Sequence, residues 1–311
     1  MVFSSSIRKI AIVVSSLIFM TSGALAGDLR VVVSIKPIHS LVASVMKGAG
    51  VPDLIVKGAA SPHTYAMRPS DATRLADANI VFWVGPPMEH FLAKPLETLA
   101  TKANKVALID APGVEKLKPR TGGTFEPDRD GDAEEANGDA ADPHFWLDPE
   151  NARAAVRVIA DTLGKADPEN AKVYEANAEQ LDARLVALEA RITAEMAPLK
   201  GKPFIVFHDA YHYFEKRFDL RAAGSITVDP EVQPGAARIT EMEDKVRSLG
   251  AVCIYSEPQF EPKLVDTIAA GSRAQKGVLD PEGGSLSEGP ELYETLLNNL
   301  AASLKNCLSQ E

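Results

Sequence analysis

The sequence predicts an α/β protein of two lobes, each a mostly parallel sheet flanked by helices, joined by a long rigid helix. Two observations carry this. Short Val-, Ile- and Phe-rich segments alternate with stretches of helical spacing, first between residues 28 and 84 and again after residue 200. Between the two sets, Glu169 to Ala197 keeps an almost unbroken helical pattern, close to thirty residues or roughly 45 Å at 1.5 Å per residue. A helix of that length can span two domains and resist their relative motion.

The first 26 residues are read apart from the fold. Arg8 and Lys9 precede an apolar run from Ile10 to Met20, and Ala24-Leu-Ala26 supplies the small residues of a cleavage site. The run is too short and wrongly flanked for a membrane span, and no Cys follows it to carry a lipid. Export to the periplasm of a Gram-negative cell, with cleavage after Ala26, is therefore expected. The boundaries that follow are 1–26 for the signal peptide, 27–167 for an N-terminal lobe, 168–199 for the linking helix and 200–311 for a C-terminal lobe. The formal charge of −10 becomes −12 once Arg8 and Lys9 are gone, which disfavours nucleic acid as a partner and favours cations or a basic protein face. A monomer is expected. In an oxidising compartment the two cysteines, Cys253 and Cys307, are expected to be bonded, and closing that loop would contribute on the order of 4 kcal/mol.

In the first lobe, Asp28 to Ser34 reads as a strand running to Ile35-Lys-Pro37, with helical spacing at Leu41, Val42, Val45 and Met46. Asp53 to Lys57 is a second strand that runs into a loop bearing His63. A helix is signalled at Arg68-Pro-Ser-Asp71 with Ser70 as N-cap, and Asn79 to Val84 is strand again. Eight acidic residues are set among Gly, Ala and Asn from Thr121 to Asp142, which predicts a mobile acidic loop, either a solvated insertion or a weak cation trap. Its Asp-x-Asp-Gly-Asp run lacks the glycine position and closing Glu of a calcium loop.

After Pro149 a helix runs to about Lys165, and the long helix follows until Pro198 and Gly201 stop it. In the second lobe, Lys202 to Phe207 is a buried strand ending at His208-Asp209. Helix is expected over Ala210–Phe218, Gly235–Leu249, Pro262–Ala270 and Pro290–Leu304, and strand over Val252–Tyr255 and Lys276–Leu279, the latter ending at Asp280.

Ligands of parallel sheets bind beyond the carboxyl ends of the strands. His63, His208 and Asp280 fall in such places, and His144 lies where the acidic run meets the apolar Phe145-Trp-Leu147. Three imidazoles and one carboxylate suit tetrahedral zinc, and a shell closed by protein holds an ion rather than using it. Manganese stays open. Of the other histidines, His39 near the end of the first strand is read as structural or supporting, and His90 as an ordinary helix residue. His208-Asp-Ala-Tyr-His212 imitates the His-Glu-x-x-His signature of zinc proteases, but that motif needs both rings on one helix and His208 ends a strand. A zinc hydrolase is thus disfavoured.

These residues make the chain resemble the ZnuA family, the periplasmic zinc-binding proteins of bacterial ABC transporters. The resemblance runs from about Val31 to Cys307. It rests on Pro62-His-Thr-Tyr65 with Arg68-Pro-Ser-Asp71, Val84-Gly-Pro-Pro-Met-Glu89, His144-Phe-Trp-Leu-Asp-Pro149, Phe207-His-Asp-Ala-Tyr211, Pro230-Glu-Val-Gln-Pro-Gly235, Ser256-Glu-Pro-Gln-Phe260 and Leu279-Asp-Pro281, in that order. It implies two α/β lobes with one zinc ion in the cleft between them, His63 and His144 as ligands from the first lobe, and His208 and Asp280 from the second. It also implies a Cys253–Cys307 disulfide, delivery to an inner-membrane ABC permease, and no catalysis. Two departures matter. The loop before His144 lacks the histidines many relatives carry, and Pro62 stands where some have Glu, so Asp280 or water is left to complete the shell.

Overall fold

The computed structural model describes residues 29–120, 125, 141–227, 230, 233–249 and 253–310. The expected signal peptide, almost all of the acidic loop and part of the Pro230–Gly235 motif lie outside them. Among the described residues, no helix is long and apolar enough to cross a membrane.

Two four-stranded, wholly parallel sheets form the lobes. The first contains β1 (Val31–Val33), β2 (Asp53–Leu54), β3 (Ile80–Trp83) and β4 (Asn104–Ala107) in the order β2-β1-β3-β4. In the second, β5 (Phe204–His208), β6 (Gly224–Thr227), β7 (Cys253–Ser256) and β8 (Gln275–Val278) repeat that order as β6-β5-β7-β8. In both lobes the chain reverses its direction of winding beside the first strand. A crevice opens there, at the carboxyl ends. Central β3 and β5 are buried at every position, as strands covered on both faces must be.

Helices α1 (Lys36–Val45), α2 (Pro69–Asp77) and α3 (His90–Thr98) belong to the first lobe, and α4 (Pro149–Ala166) follows the His144 turn. Next comes α5, Ala171–Met196, whose 26 residues span about 39 Å and run into a 3₁₀ turn at Ala197–Leu199. It buries Tyr174, Leu181, Leu185, Leu188, Ile192 and Met196 along one stripe. The second lobe adds α6 (His212–Phe218), α7 (Ala236–Leu249), α8 (Lys263–Ala269) and α9 (Leu292–Leu308).

Some local expectations need correction. Helix α1 begins at Lys36, with Pro37 in its first turn where the missing N–H costs nothing. His39 therefore lies inside a helix and not near a strand end. Ser70 does not cap α2: Arg68 holds the N-cap position, and the Asp71 carboxylate accepts its backbone N–H at 2.9 Å. Strands β4 and β6 went unread because they are short edge strands of mixed polarity.

One hydrophobic core passes through both lobes. It takes in Phe82, Trp83 and Trp146 from the first, Leu185 and Leu188 from α5, and Phe204, Tyr255, Tyr293 and Leu300 from the second. A smaller core, with Ile205, Ile226, Met242 and Ile254, lies under α7 and α8. Helix α9 packs on β8, on α5 and on α1 of the other lobe. Cys253 at the start of β7 is bonded to Cys307 near the end of α9, with Cα atoms 6.1 Å apart.

Candidate metal centre

His208 is the last residue of β5, so the buried central strand fixes its backbone. The neighbouring strand β7 delivers Glu257 just beyond its end. The Glu257 carboxylate faces His208 Nδ1 with both oxygens at 2.8 Å and also accepts the Tyr211 hydroxyl at 3.1 Å. His144 is held from the first lobe in a similar way. Asp142 Oδ1 accepts its backbone N–H at 3.0 Å and faces its Nδ1 at 2.8 Å, while Phe145, Trp146 and Leu147 behind it are fully buried.

Carboxylates at both Nδ1 atoms place the ring protons there, leaving the two Nε2 lone pairs turned toward each other. The Nε2 atoms are 3.3 Å apart. That matches the edge of a tetrahedron with Zn–N bonds of about 2.0–2.1 Å, which is about 3.3–3.4 Å. Two facing lone pairs need a cation between them, either a proton or a metal. His63 completes a triangle, its ring centre 5.6 Å from each of the others, and its buried Nε2 has no hydrogen-bond partner. One donor atom from each of the three rings lies within 4.8 Å of the others.

The electrostatics separate the rings. Burial, helped by the other imidazoles, drives His63 and His144 well below the ordinary histidine value. Burial also works against the charge on His208, but the Glu257 carboxylate outweighs it and raises the ring above 6.5. Of the three rings, His208 is the one whose surroundings favour a proton. Burial pushes Asp142 up to about 7. Close by, Glu282 is raised well above its usual value by burial and by the charges of Asp280, Glu89 and Glu257.

Asp280 occupies the expected place beyond β8, but its carboxylate is not in the converging group. Oδ1 accepts Gln259 Nε2 at 2.9 Å and the backbone N–H groups of Glu282 and Gly284 at 3.3 and 3.1 Å, while Oδ2 takes the Ser285 hydroxyl and N–H at 3.4 Å. These bonds shape a loop that presses against the His63 loop. A Cβ on Gly284 would come within 3.0 Å of the Ala59 Cα. Lys36, buried in the first lobe, ties the two loops by donating to the carbonyls of Gly58, Gly284 and Leu286 at 3.4, 3.0 and 2.7 Å.

The remaining histidines stand apart. His39 Nε2 meets the Pro52 carbonyl at 3.0 Å, and His90 opens α3. His212 opens α6, one turn of chain away from the strand that ends at His208, so the two do not share a helix face. Asp142 and Glu257 were missed as functional residues. Glu257 could have been found by the criterion that selected His208 and Asp280, since it too follows the end of a strand.

Two sheets of one winding order, a helix between them and imidazoles from both lobes meeting in the crevice define a two-lobed, metal-binding solute receptor. The family model for ZnuA, zinc-uptake complex component A periplasmic, matches residues 31–307. The chain is 51% identical over 314 residues to the high-affinity zinc uptake system protein ZnuA of Brucella suis biovar 1 (strain 1330), covering 92% of this chain and 94% of that protein. With the protein of the same name from Yersinia pestis it shares 34%, over 96% and 97% of the two chains. The chain belongs to the ZnuA family. Among solved structures, a ZnuA crystal structure superposes with a TM-score of 0.76 at 24% identity, covering 90% of this chain and 99% of that one. The periplasmic zinc-binding protein TroA from Treponema pallidum gives 0.77 at 19% identity, over 91% and 100%. Both share the two-lobed fold.

Proposed function

We propose that this chain is the zinc-capturing component of a high-affinity zinc uptake system, taking one ion between its lobes and handing it to an ABC-type permease in the inner membrane. The observation that carries this is the pair of Nε2 atoms 3.3 Å apart, each ring anchored at Nδ1 by a carboxylate, with the partnerless His63 Nε2 alongside. His63, His144 and His208 are the ligands. Asp280, released from its loop, or a water molecule supplies the fourth donor. The mature chain works in the periplasm after cleavage at Ala26, as a monomer, and hydrolyses nothing.

The zinc family name, the membership and the donor set support one reading. Neutral imidazole is a donor that zinc favours, and three of them outnumber what a hard cation prefers. Metal analysis of protein purified without added metal, followed by titration of the stripped chain, tests it. One zinc ion per chain with sub-micromolar affinity is expected, with manganese a weak competitor. No zinc binding at micromolar concentrations, or displacement of zinc by equimolar manganese, would overturn it.

A further inference from the structure

Behind the paired His144 and His208 lies a cluster of charge in which the zinc reading gives a role to Asp142 alone. Asp209 follows His208, and Asp142 precedes His144 by two residues. These carboxylates and Glu215 of α6 have side chains 8%, 5% and 4% exposed. Left alone, such carboxylates would push apart the segments that carry the two imidazoles.

One guanidinium enters this cluster. Arg120 lies on a strap of the first lobe and is 15% exposed. Its Nε meets both oxygens of Asp209 at 2.9 and 3.0 Å, and its Nη2 also donates to Asp209. Nη1 and Nη2 grip the two oxygens of Glu215 at 2.7 and 2.9 Å, and the Phe125 ring covers the guanidinium carbon at 4.0 Å. The strap is stitched to the His144 segment and to α6 at once. Leu117 N–H donates to the Tyr213 hydroxyl at 2.9 Å, Tyr213 donates to the Asp142 carbonyl at 2.9 Å, and Asp142 N–H donates to the Leu117 carbonyl at 2.9 Å. Among the described residues the titratable groups facing Asp142 also include His144, with Nδ1 2.8 Å from Oδ1, and His212, with Nδ1 3.7 Å from Oδ2.

We propose that Arg120 is a positioning residue: the counter-ion that lets the His144 and His208 segments of opposite lobes stay together, and so sets the rate at which bound metal leaves. This rests on the zinc reading of the histidine site. Among the described residues Arg120 bonds to Asp209 and Glu215 and to none of the three histidines. Its loss should change release and not capture, as truncating one member of a buried, hydrogen-bonded charge pair does.

The test is zinc release from the full chain into excess chelator by stopped flow. Arg120→Gln is expected to speed release at least ~10-fold with association unchanged, and Arg120→Lys to recover part of the loss, since an ammonium restores the charge but not the fork. Adding Asp209→Asn to Arg120→Gln should slow release again by removing the repulsion, a rescue that lost packing alone would not give. Unchanged release in Arg120→Gln, or no rescue in the double variant, overturns the proposal. A second measurement needs no zinc and no Gln variant. In the metal-free chain, amide exchange should rise together over 142–147 and 208–215 on Arg120→Lys. A rise confined to 208–215 would overturn the proposal even if zinc binding were established, and failure of the wild type to hold zinc would fall on the function alone.

Discussion

The two lobes share a strand order and treat its crevice differently. In the second lobe the crevice carries the proposed ligand. His208 ends β5, Glu257 follows the neighbouring β7, and the pair spans the point where the winding reverses. In the first lobe the acidic residue after the corresponding β3 is Glu89, and burial pushes it up to about 7 while its oxygens accept the N–H groups of Val84 and Gly85 at 3.1 and 3.0 Å. There the acid closes a loop and holds no ligand. The first lobe brings its imidazoles from farther out. His144 comes from a turn pinned by Asp142, and His63 from a loop whose hydrogen bond to Ser61 Oγ is 3.3 Å long. The difference is one of scaffold: His208 is fixed by a central strand, His144 by a turn pinned to a carboxylate, and His63 by a loop without such an anchor.

The largest test of that difference is loss of a proposed ligand. His208→Ala should reduce zinc affinity by well over ~100-fold, beyond the loss of a supporting residue, and His63→Ala by less than His208→Ala because its ring has no carboxylate anchor. Calorimetric titration of both variants checks this, and equal losses would break the distinction between anchored and unanchored rings. Next in size are the anchors. Glu257→Gln and Asp142→Asn should each weaken zinc about 10- to 100-fold while leaving one ion per chain. If Glu89→Gln cost as much, the contrast between the two crevices would fail.

The pH response should also divide by lobe. His63 and His144, with folded pKa values well below 6.5, take stability from the metal-free chain as pH falls through the unfolded value near ~6.5. His208, raised above 6.5, contributes stability that is complete below the unfolded pKa and is lost as pH rises through the folded one. Thermal unfolding in chelator at pH 7 and pH 5 should therefore show His144→Ala losing less than wild type on acidification, and His208→Ala losing more. Zinc affinity itself should fall with acidification, because all three rings must be neutral to bind. The smallest effect on the metal belongs to the disulfide. Cys253→Ser with Cys307→Ser should remove about 2–4 kcal/mol of stability and leave zinc affinity where it was.

Much of this was legible in the sequence because parallel sheets write themselves as apolar runs with chemistry at one end. Phe204-Ile-Val-Phe-His208 is such a run, and both the strand and its terminal imidazole followed from it. The long helix followed from its unbroken apolar periodicity, and the disulfide from the oxidising compartment and the family resemblance. The supporting shell was not legible. Glu257 gains its meaning from a strand pairing between β5 and β7, and Asp142 reads as one more acid in an acidic stretch until the fold turns it back onto His144. Asp280 shows the converse: its place beyond β8 was readable, but the claims of Gln259, Gly284 and Ser285 on its oxygens were not. Edge strands β4 and β6 left too faint a pattern because each is four residues long and mixes polar with apolar side chains.

The core that continues from one lobe into the other reaches beyond metal binding to how the molecule comes into being. Tyr293 of α9 donates to the Trp146 carbonyl at 2.6 Å, Trp146 Nε1 donates to the Pro281 carbonyl at 2.9 Å, and Ser40 of α1 accepts the Tyr293 N–H at 2.9 Å. The first lobe therefore cannot finish its interior until α9, the last helix described, has been delivered. Such contacts between distant parts of a chain slow folding and make it cooperative. Neither lobe is a detachable module, and a chain cut ahead of α9 would lack the residue that seals Trp146.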